Sequence, residues 1–253
     1  MRAVERVTSI IECFAQDKAS MPLHEIAERV DLSMATTLRI VGALVEQGYL
    51  IRQPDQEYCL SLKFVTLAGH VKSTMGLREI AYESLIELSR QTNETVGLVT
   101  VDGFDRLCID AIQSGERLSS ILRPGERVPL GIGASPKMLL AYMPEDEMSR
   151  VIDHLVATRG IDPDVLRTQL ARIRDDGFAI SRGEVTPGLD AISVPIFNAD
   201  GQVHHGLNLT SPSLRFESRL DELIQLMLKA GSDVSRRMSA SGMRARPGSD
   251  ARR

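Results

Sequence analysis

Apolar residues recur every three or four positions in three segments near the start of the chain, which predicts three amphipathic helices. The helices are expected at Ala3–Phe14, at Leu23–Val30 and from Ser33 to about Gln47. We expect their inner faces to pack together as one core, formed by Val4, Val7, Ile10, Ile11, Phe14, Ile26, Ala27, Val30, Leu38, Val41, Leu44 and Val45.

Capping residues mark the ends of these helices. Ser20 is the expected N-cap of the second helix, with Pro22 just inside it. Ser33 is the expected N-cap of the third helix, and Gly48 ends it. The short turn between the second and third helices is typical of a helix-turn-helix.

Two short apolar runs after Gly48 flank a Pro54-Asp55 turn, which predicts a hairpin. Three helices followed by a hairpin indicate a winged helix-turn-helix domain over residues 1–61. Residues 62–76 are predicted to be a linker, with a connector helix over Leu62–Lys72 and a hinge at Ser73–Gly76.

Residues 77–238 mix strand and helix patterns, so the predicted fold class is α+β. A helix over Leu77–Gln91, a hairpin turned at Asp102-Gly103 and a strand over Leu118–Arg123 come first. Further helices are expected at Pro136–Met143, Glu145–Val156, Pro163–Asp176 and Glu217–Met238. The polar segment 239–253 is predicted to be a disordered tail.

A long hairpin over Leu189–Thr210 is the most informative part of this second domain. With a four-residue loop at 198–201, its register places Leu189 opposite Thr210, Ala191 opposite Asn208 and Ser193 opposite Gly206. One face is then apolar, with Ile192, Val194, Ile196, Val203, Leu207 and Leu209. The other face is small and polar, which favours the floor of a ligand pocket over a solvent-exposed sheet surface.

The stretch Gly131–Pro136 reads as a tight turn into a helix, with Ser135 as N-cap and Pro136 as first helical residue. The free amides at such a start can receive a carboxylate, although a plain strand-to-helix turn has the same pattern. Downstream, Arg182 and Glu184 are expected to form an ion pair that holds their loop. The alternative is that Arg182 binds an anionic ligand.

In a helix-turn-helix, the second of its helices enters the DNA major groove through its amino-terminal residues. Residues 33–40 hold one charge, Arg39, whereas a solvated helix face usually carries several. This pattern favours DNA binding over an ordinary three-helix bundle, with candidate contacts at Ser33, Ala35, Thr36, Thr37, Arg39 and Arg52. Because charges in residues 1–75 nearly cancel, we expect a homodimer or homotetramer that multiplies the contacts.

Composition narrows the remaining function classes. The net charge is −4, and the three cysteines are widely spaced, which favours a reducing cytoplasm over a disulfide framework. We expect no metal, no cofactor, no signal peptide and no membrane span. Catalytic motifs are missing, so an enzyme is not expected. Redox sensing through Cys59 or Cys108 is an alternative to their role as small apolar residues.

Several stretches together resemble the IclR-type transcriptional regulators over nearly the whole chain to about Met238. They are AVERVTSIIECFA, MPLHEIAERVDLSMATTLRIVGALVEQGYL, RVPLGIGASPKMLLA, ISRGEVTPGLDAISVPIF and DGQVHHGLNLTSP. The resemblance implies a winged-helix repressor or activator with a profilin/GAF-like effector-binding domain, assembled as dimers or tetramers on double-stranded operator DNA.

Carried onto this sequence, the family's DNA contacts fall on Thr36, Thr37 and Arg39. Its effector contacts fall on Ala134, Ser135, Ala191, Asn208 and Thr210, and the hairpin face adds Ser193. The family often senses small carboxylates and aromatic acids. Here Pro136 stands where the family usually has Gly, and Asn208, Thr210 and Ser211 replace its Ser-x-Ser-Gly. A second domain that only oligomerises is the alternative to effector sensing.

Overall fold

The computed structural model describes residues 2–15, 18–67 and 76–241. The chain divides into two compact units, Met1–Met75 and Gly76–Arg253. A helical first unit with a small sheet, and a second unit with a large sheet flanked by helices, confirm the predicted α+β class.

The first unit has the winged helix-turn-helix order of elements. These are α1 (Arg2–Glu12), a 3₁₀ turn (Cys13–Ala15), β1 (Ser20–Met21), α2 (Leu23–Arg29), α3 (Met34–Glu46), β2 (Leu50–Arg52), β3 (Tyr58–Leu60) and α4 (residues 63–67). The strands form a sheet in the order β1-β3-β2. Residues 68–75, which include the rest of the predicted connector helix and most of the hinge, lie outside the described residues.

Strand β1 was not predicted, and its presence corrects the prediction that Ser20 is the N-cap of α2. Ser20 pairs with Cys59 in the sheet and donates its hydroxyl hydrogen to Glu57, so it does not cap the helix. Pro22 takes the N-cap position, and no side chain caps α2. The sequence pattern missed β1 because a two-residue strand has no periodicity of its own.

Two apolar residues predicted for the core of this unit lie on its surface. Val4 is 68% exposed and Leu38 is 54% exposed, whereas Thr37 is fully buried. Thr37 and Leu38 both fit a helical stripe with Val41, so periodicity alone did not decide between them. Burial of Thr37 costs little because its hydroxyl donates to the carbonyl of Ser33 at 3.1 Å.

The second unit is built on a six-stranded antiparallel sheet in the order β6-β5-β4-β9-β8-β7. Its strands are β4 (Thr95–Asp102), β5 (Asp105–Ile112), β6 (Arg127–Pro129), β7 (Ala179–Arg182), β8 (Leu189–Phe197) and β9 (Val203–Pro212). Its helices are α5 (Leu77–Thr92), α6 (Ala134–Ala141), α7 (Glu145–Arg159), α8 (Pro163–Asp176), α9 (Ser213–Ser218) and α10 (Leu220–Ala240).

Helices cover both faces of this sheet. On β8, Ala191 packs against the apolar cluster of α6, α7 and α8, while Val194 contacts Gly231 of α10. Because side chains alternate along a strand, these two helix groups lie on opposite faces. Helix α5 packs beside α10. Helix α10 continues to Ala240, past the predicted start of the disordered tail, and residues 242–253 lie outside the described residues.

The strand predicted over Leu118–Arg123 is wrong. That segment is a loop, and the strand next to β5 is Arg127–Pro129 instead. Inside the loop the side chain of Gln113 accepts from the backbone nitrogen of Leu122 at 3.3 Å, which replaces part of a strand ladder. The loop packs onto the sheet at Gly97, where a Cβ would overlap the side chain of Leu122.

The register of the long hairpin also differs from the prediction. Ala191 lies opposite Thr210 and Ser193 opposite Asn208, so the partners of residues 189–196 are displaced by two residues. One residue of this displacement comes from the turn, where Phe197 pairs with Val203 and not with Gln202. The other comes from an irregularity at Ile196/Phe197, where the partner strand contains one more residue, His204. A two-residue displacement keeps each side chain of residues 189–196 and its partner on the predicted face. Val203, beyond the irregularity, is the exception, because it packs with the α6–α8 cluster and not with Ile192, Val194 and Ile196 as predicted.

Candidate functional site

The amino terminus of α3 is capped as predicted. Ser33 has extended backbone angles, and its hydroxyl oxygen accepts from the backbone nitrogen of Thr36 at 3.4 Å. The same hydroxyl donates to the Thr36 hydroxyl at 2.9 Å. This cap orders the first turn of the helix, whose remaining amides point away from the helix and suit a phosphate.

The outward face of α3 differs in composition from the predicted one. Ala35 and Arg39 are exposed, as expected, and Arg39 has no ion-pair partner within the described part of the chain. Met34 and Leu38 are also exposed, at 50% and 54%. Thr37 is buried, so its side chain does not reach the surface, and sequence reasoning missed Leu38 as an outward residue.

Arg52 lies at the end of β2, beside the hairpin turn, and its side chain is exposed. Its guanidinium donates to the side chain of Gln56 and lies 5.8 Å from the centre of the Tyr58 ring. These contacts hold the cation at the tip of the wing, where it remains open to solvent.

A cavity of about 320 Å³ opens in the second unit. It lies over the polar face of β8 and β9, between the start of α6 and the 113–126 loop. Five of the six side chains predicted to contact an effector line it: Ala134, Ser135, Ala191, Asn208 and Thr210. The structure therefore brings together residues that are up to 76 positions apart in the chain (210 − 134).

Ser193, the sixth predicted residue, does not line the cavity. It is fully buried, and its hydroxyl donates to the carbonyl of Leu207 at 2.7 Å. The polar face is also closed at Gly206, where a Cβ would overlap Met138 of α6. Asn208 and Thr210 do line the cavity, and the Thr210 hydroxyl oxygen accepts from the Asn208 amide at 3.0 Å.

The start of α6 differs from the prediction in a way that matters for anion binding. Gly133 is the N-cap, with φ of +86°, and Ser135 is the second helical residue and not the cap. The backbone nitrogen of Gly133 donates to the Glu184 carboxylate at 3.0 Å, and Lys137 forms an ion pair with the same carboxylate at 2.8 Å. The protein's own carboxylate therefore binds the N-cap amide of this helix.

The predicted Arg182–Glu184 ion pair is wrong. Arg182 instead pairs with Glu217 and lies 3.6 Å from Asp190, while Glu184 pairs with Lys137. Arg182 and Glu184 come from a strand end and its following loop, and each meets a partner from a distant segment. Arg182 does not line the cavity.

Sequence reasoning also missed Arg106, which lines the cavity from β5. Its side chain is 6% exposed, and its terminal nitrogens contact the carboxylate of Glu126 at 3.2 Å and the Glu126 carbonyl at 3.4 Å. Its Nε is buried and has no hydrogen-bond partner. The available signal was a single basic residue in a strand whose other charged residues are Asp105 and Asp110.

Burial determines the chemistry of the Cys108 thiol. Cys108 is 1% exposed, and burial raises the pKa of its thiol to about 12, so it stays protonated and unreactive at neutral pH. Among the described residues, no group of three His, Cys, Asp or Glu side chains is placed to hold a metal ion.

Residues 69–236 match the family profile described as bacterial transcriptional regulator IclR C-terminal. Residues 3–54 match the profile described as IclR helix-turn-helix domain. The chain belongs to the IclR family. The helix-turn-helix domain of that family matches the first unit of the fold, and its C-terminal domain matches the second unit. The chain is a DNA-binding transcriptional regulator and not an enzyme.

Named relatives and solved structures agree with this assignment. The regulator KdgR of Escherichia coli is 29% identical over 243 residues, covering 93% of this chain and 92% of its own length. The crystal structure of IclR from Thermotoga maritima is 25% identical with a TM-score of 0.76, covering 94% of this chain and 99% of that one. An IclR homologue from Microbacterium hydrocarbonoxydans, solved with 4-hydroxybenzoate, is 23% identical with a TM-score of 0.82 and the same coverage.

The described helices include none that combines the length and the apolar character needed to cross a membrane.

Proposed function

We propose that this IclR-family regulator changes its affinity for operator DNA when a small, carboxylate-bearing metabolite binds the cavity of its second unit. The observation that carries the proposal is the cavity itself, with Ser135, Asn208 and Thr210 on its walls. Its volume of about 320 Å³ lies at the lower end of the range for small-molecule sites. Carboxylate sensing is further supported by the related structure that contains 4-hydroxybenzoate.

The DNA contacts of this proposal lie on the outward side of α3 and at the wing. Arg39 and Leu38 face the base edges, where a guanidinium can read guanine and an apolar side chain can contact a thymine methyl group. Ser33, Ala35 and Thr36 lie at the helix start and contact the backbone or nearby bases. Arg52 binds a phosphate beside the wing. Thr37 is not part of this surface because it is buried.

The protein acts as a dimer or a larger assembly of identical chains in this proposal. Exposed apolar side chains on α1 and around α4 support self-association: Val4 at 68%, Leu62 at 79% and Val65 at 66%. Pairing two helix-turn-helix units also doubles the phosphate contacts of a nearly neutral unit.

A second candidate function is a DNA-binding regulator whose second unit only oligomerises. It is less favoured because a pure association surface carries larger apolar groups than the small polar walls of this cavity.

A thermal-shift screen against organic and aromatic acids separates the two candidates. We expect an acid that raises the melting temperature of the wild type but not of Asn208→Leu, in which a larger, apolar side chain with the same branching replaces a polar one on the cavity wall. Thr168→Leu, a polar-to-leucine change on the exposed side of α8, is the matched control and should respond as the wild type does. Absence of any response, with operator DNA still bound, favours the second candidate.

A further inference from the structure

Three consecutive backbone carbonyls at the end of α3 accept hydrogen bonds from the segment that begins α4. Lys63 Nζ donates to the Gln47 carbonyl at 2.9 Å, and the Ser61 hydroxyl donates to the Gly48 carbonyl at 2.5 Å. The Ser61 backbone nitrogen donates to the Tyr49 carbonyl at 3.0 Å. Carbonyls at a helix end have no partner within the helix, so this segment satisfies groups that α3 leaves open.

The backbone geometry of the two helix ends aims these groups at each other. Gly48 has a φ of +72°, and the Tyr49 nitrogen donates to the Leu44 carbonyl at 2.8 Å, which is the Schellman ending of a helix. On the other side, the Ser61 hydroxyl oxygen accepts from the Lys63 nitrogen at 3.2 Å and so caps α4. The end of α3 and the start of α4 therefore share one hydrogen-bonded junction.

Side chains reinforce this junction. Lys63 Nζ lies 4.0 Å from the centre of the Tyr49 ring, which is a cation–π contact. The Phe64 ring meets the same Tyr49 ring edge-on, with 5.7 Å between the ring centres. Tyr49 in turn packs against the apolar core of the first unit. One ammonium group thus holds both a carbonyl at the end of α3 and the aromatic ring that follows it.

The junction lies between the helix that carries the candidate base contacts and the helix by which the chain leaves the described part of the first unit. After α4 the chain continues through residues 68–75 into the second unit. A rotation or shift of α4 that left α3 in place would have to break the contacts of Ser61, Lys63 and Phe64. The orientations of α3 and α4 are therefore coupled within the first unit.

We propose that Lys63 is a positioning residue for DNA binding, because it fixes α4 to the end of α3 and so holds α3 in the orientation that enters the major groove. A cation at a helix end and a cation–π contact each stabilise this orientation modestly. When they are lost, a smaller fraction of the molecules is competent to bind, and the apparent affinity falls with that fraction. The inference goes beyond the proposed function, since it needs DNA binding through α3 but no effector, and either can fail alone.

The test compares Lys63→Gln with Lys63→Arg, which keeps the charge and can still lie on the Tyr49 ring. Lys18→Gln is the matched control, because it removes a positive charge that pairs with Glu25 in the same unit. Fluorescence anisotropy measures affinity for a duplex that the wild type selects from a random pool. We expect Lys63→Gln to lose about 3- to 10-fold in affinity. Lys63→Arg and Lys18→Gln should lose less than about twofold.

A direct contact between Lys63 and a DNA phosphate would also lower the affinity, and Tyr49 separates the two explanations. Tyr49→Leu removes the ring on which the ammonium lies, whereas Tyr49→Phe keeps a ring. If Lys63 acts through the end of α3, Lys63→Gln costs less affinity in the Tyr49→Leu protein than in the wild type or in Tyr49→Phe. Equal losses in all three proteins would assign Lys63 to a phosphate contact and overturn the inference.

Stability and assembly are measured on the same variants. A folded protein that loses part of its stability remains almost entirely folded, so an affinity loss in a variant with an intact circular dichroism spectrum reports the orientation of α3 and not unfolding. Light scattering checks the mass, because Val65 of the same helix is proposed to take part in self-association. Wild-type affinity in Lys63→Gln, or a loss of affinity that accompanies a change in mass, overturns the positioning role of Lys63.

Discussion

Arg39 is the side chain on the outward face of α3 best suited to distinguish one base pair from another. It is exposed, carries a planar fork of donors and has no ion-pair partner within the described residues. We predict that Arg39→Ala lowers operator affinity by about 10- to 100-fold and relaxes the base preference at one position, as for the loss of one bidentate contact.

Fluorescence anisotropy with the operator and its single-base variants measures this effect. Arg52→Ala is the comparison, since loss of a phosphate contact should weaken all sequences alike and reduce the salt dependence. An Arg39→Ala protein that keeps the same base preference would show that Arg39 does not read a base.

We expect His205 on β9 to make the second unit less stable in acid. It is 8% exposed, its Nδ1 has no partner, and burial lowers the pKa of its imidazole from 6.5 to about 4, with a smaller effect from His204. Between these values the unfolded chain binds a proton that the folded chain does not, so stability falls as the pH drops from about 6.5 toward 4.

We predict that His205→Leu, which cannot be protonated, removes part of this pH dependence. Urea unfolding of the wild type and of the variant at several pH values between about 4 and 7.5 gives the difference in unfolding free energy. That difference should favour the variant increasingly as the pH falls. A difference that is constant across this range would contradict the assignment.

At the scale of elements, the loop between β7 and β8 is fastened to the start of α6 by Glu184. This carboxylate bonds to the Gly133 nitrogen and pairs with Lys137, whose residue is 8% exposed. We predict that Glu184→Gln costs about 1–2 kcal/mol of unfolding free energy, because a nearly buried ammonium loses its counter-charge while Gln keeps one hydrogen bond.

Chemical denaturation measures this cost, and Glu217→Gln is its matched control. Glu217 is 62% exposed and pairs with Arg182 of the neighbouring strand, so its loss should cost less than about 0.5 kcal/mol. Equal effects of the two substitutions would mean that Glu184 does not fasten the loop.

Features of the fold that depend on residues close together in the chain could be predicted from the sequence. The cap at Ser33, the helix Pro163–Asp176 and the two faces of the long hairpin except at Val203 follow from capping residues and periodicity, and the structure confirms them. The face assignment holds along residues 189–196 although the register was wrong, because a displacement of two residues does not exchange faces, whereas the one-residue displacement at Val203 does.

What the sequence could not predict depends on contacts between distant segments. Glu184 meets Lys137 and Gly133, and Arg106 meets Glu126, only after the sheet and its loops have assembled. The choice between Thr37 and Leu38 for the core similarly depends on what packs against α3, and both residues fit its period. Periodicity therefore located the cavity but not the charged groups on its wall.

At the scale of the whole molecule, self-association is expected to set the strength of DNA binding. We predict that Val65→Glu, which places a charge on the exposed apolar surface of α4, shifts the protein toward monomers and lowers operator affinity. Light scattering coupled to size-exclusion chromatography measures the mass. Leu214→Glu, at an 87% exposed residue of the second unit, is the control. An unchanged mass for Val65→Glu would remove α4 from the interface.

The central claim is that the cavity controls DNA binding, and the most direct test is operator affinity with and without a bound acid. The duplex is selected from a random pool by the wild-type protein, and the acid is one that the thermal-shift screen identifies. We predict that saturating acid changes the affinity of the wild type by about 5- to 150-fold, the usual range of allosteric coupling, and leaves Asn208→Leu unchanged. Wild-type affinity that does not change while the acid is bound would contradict the account.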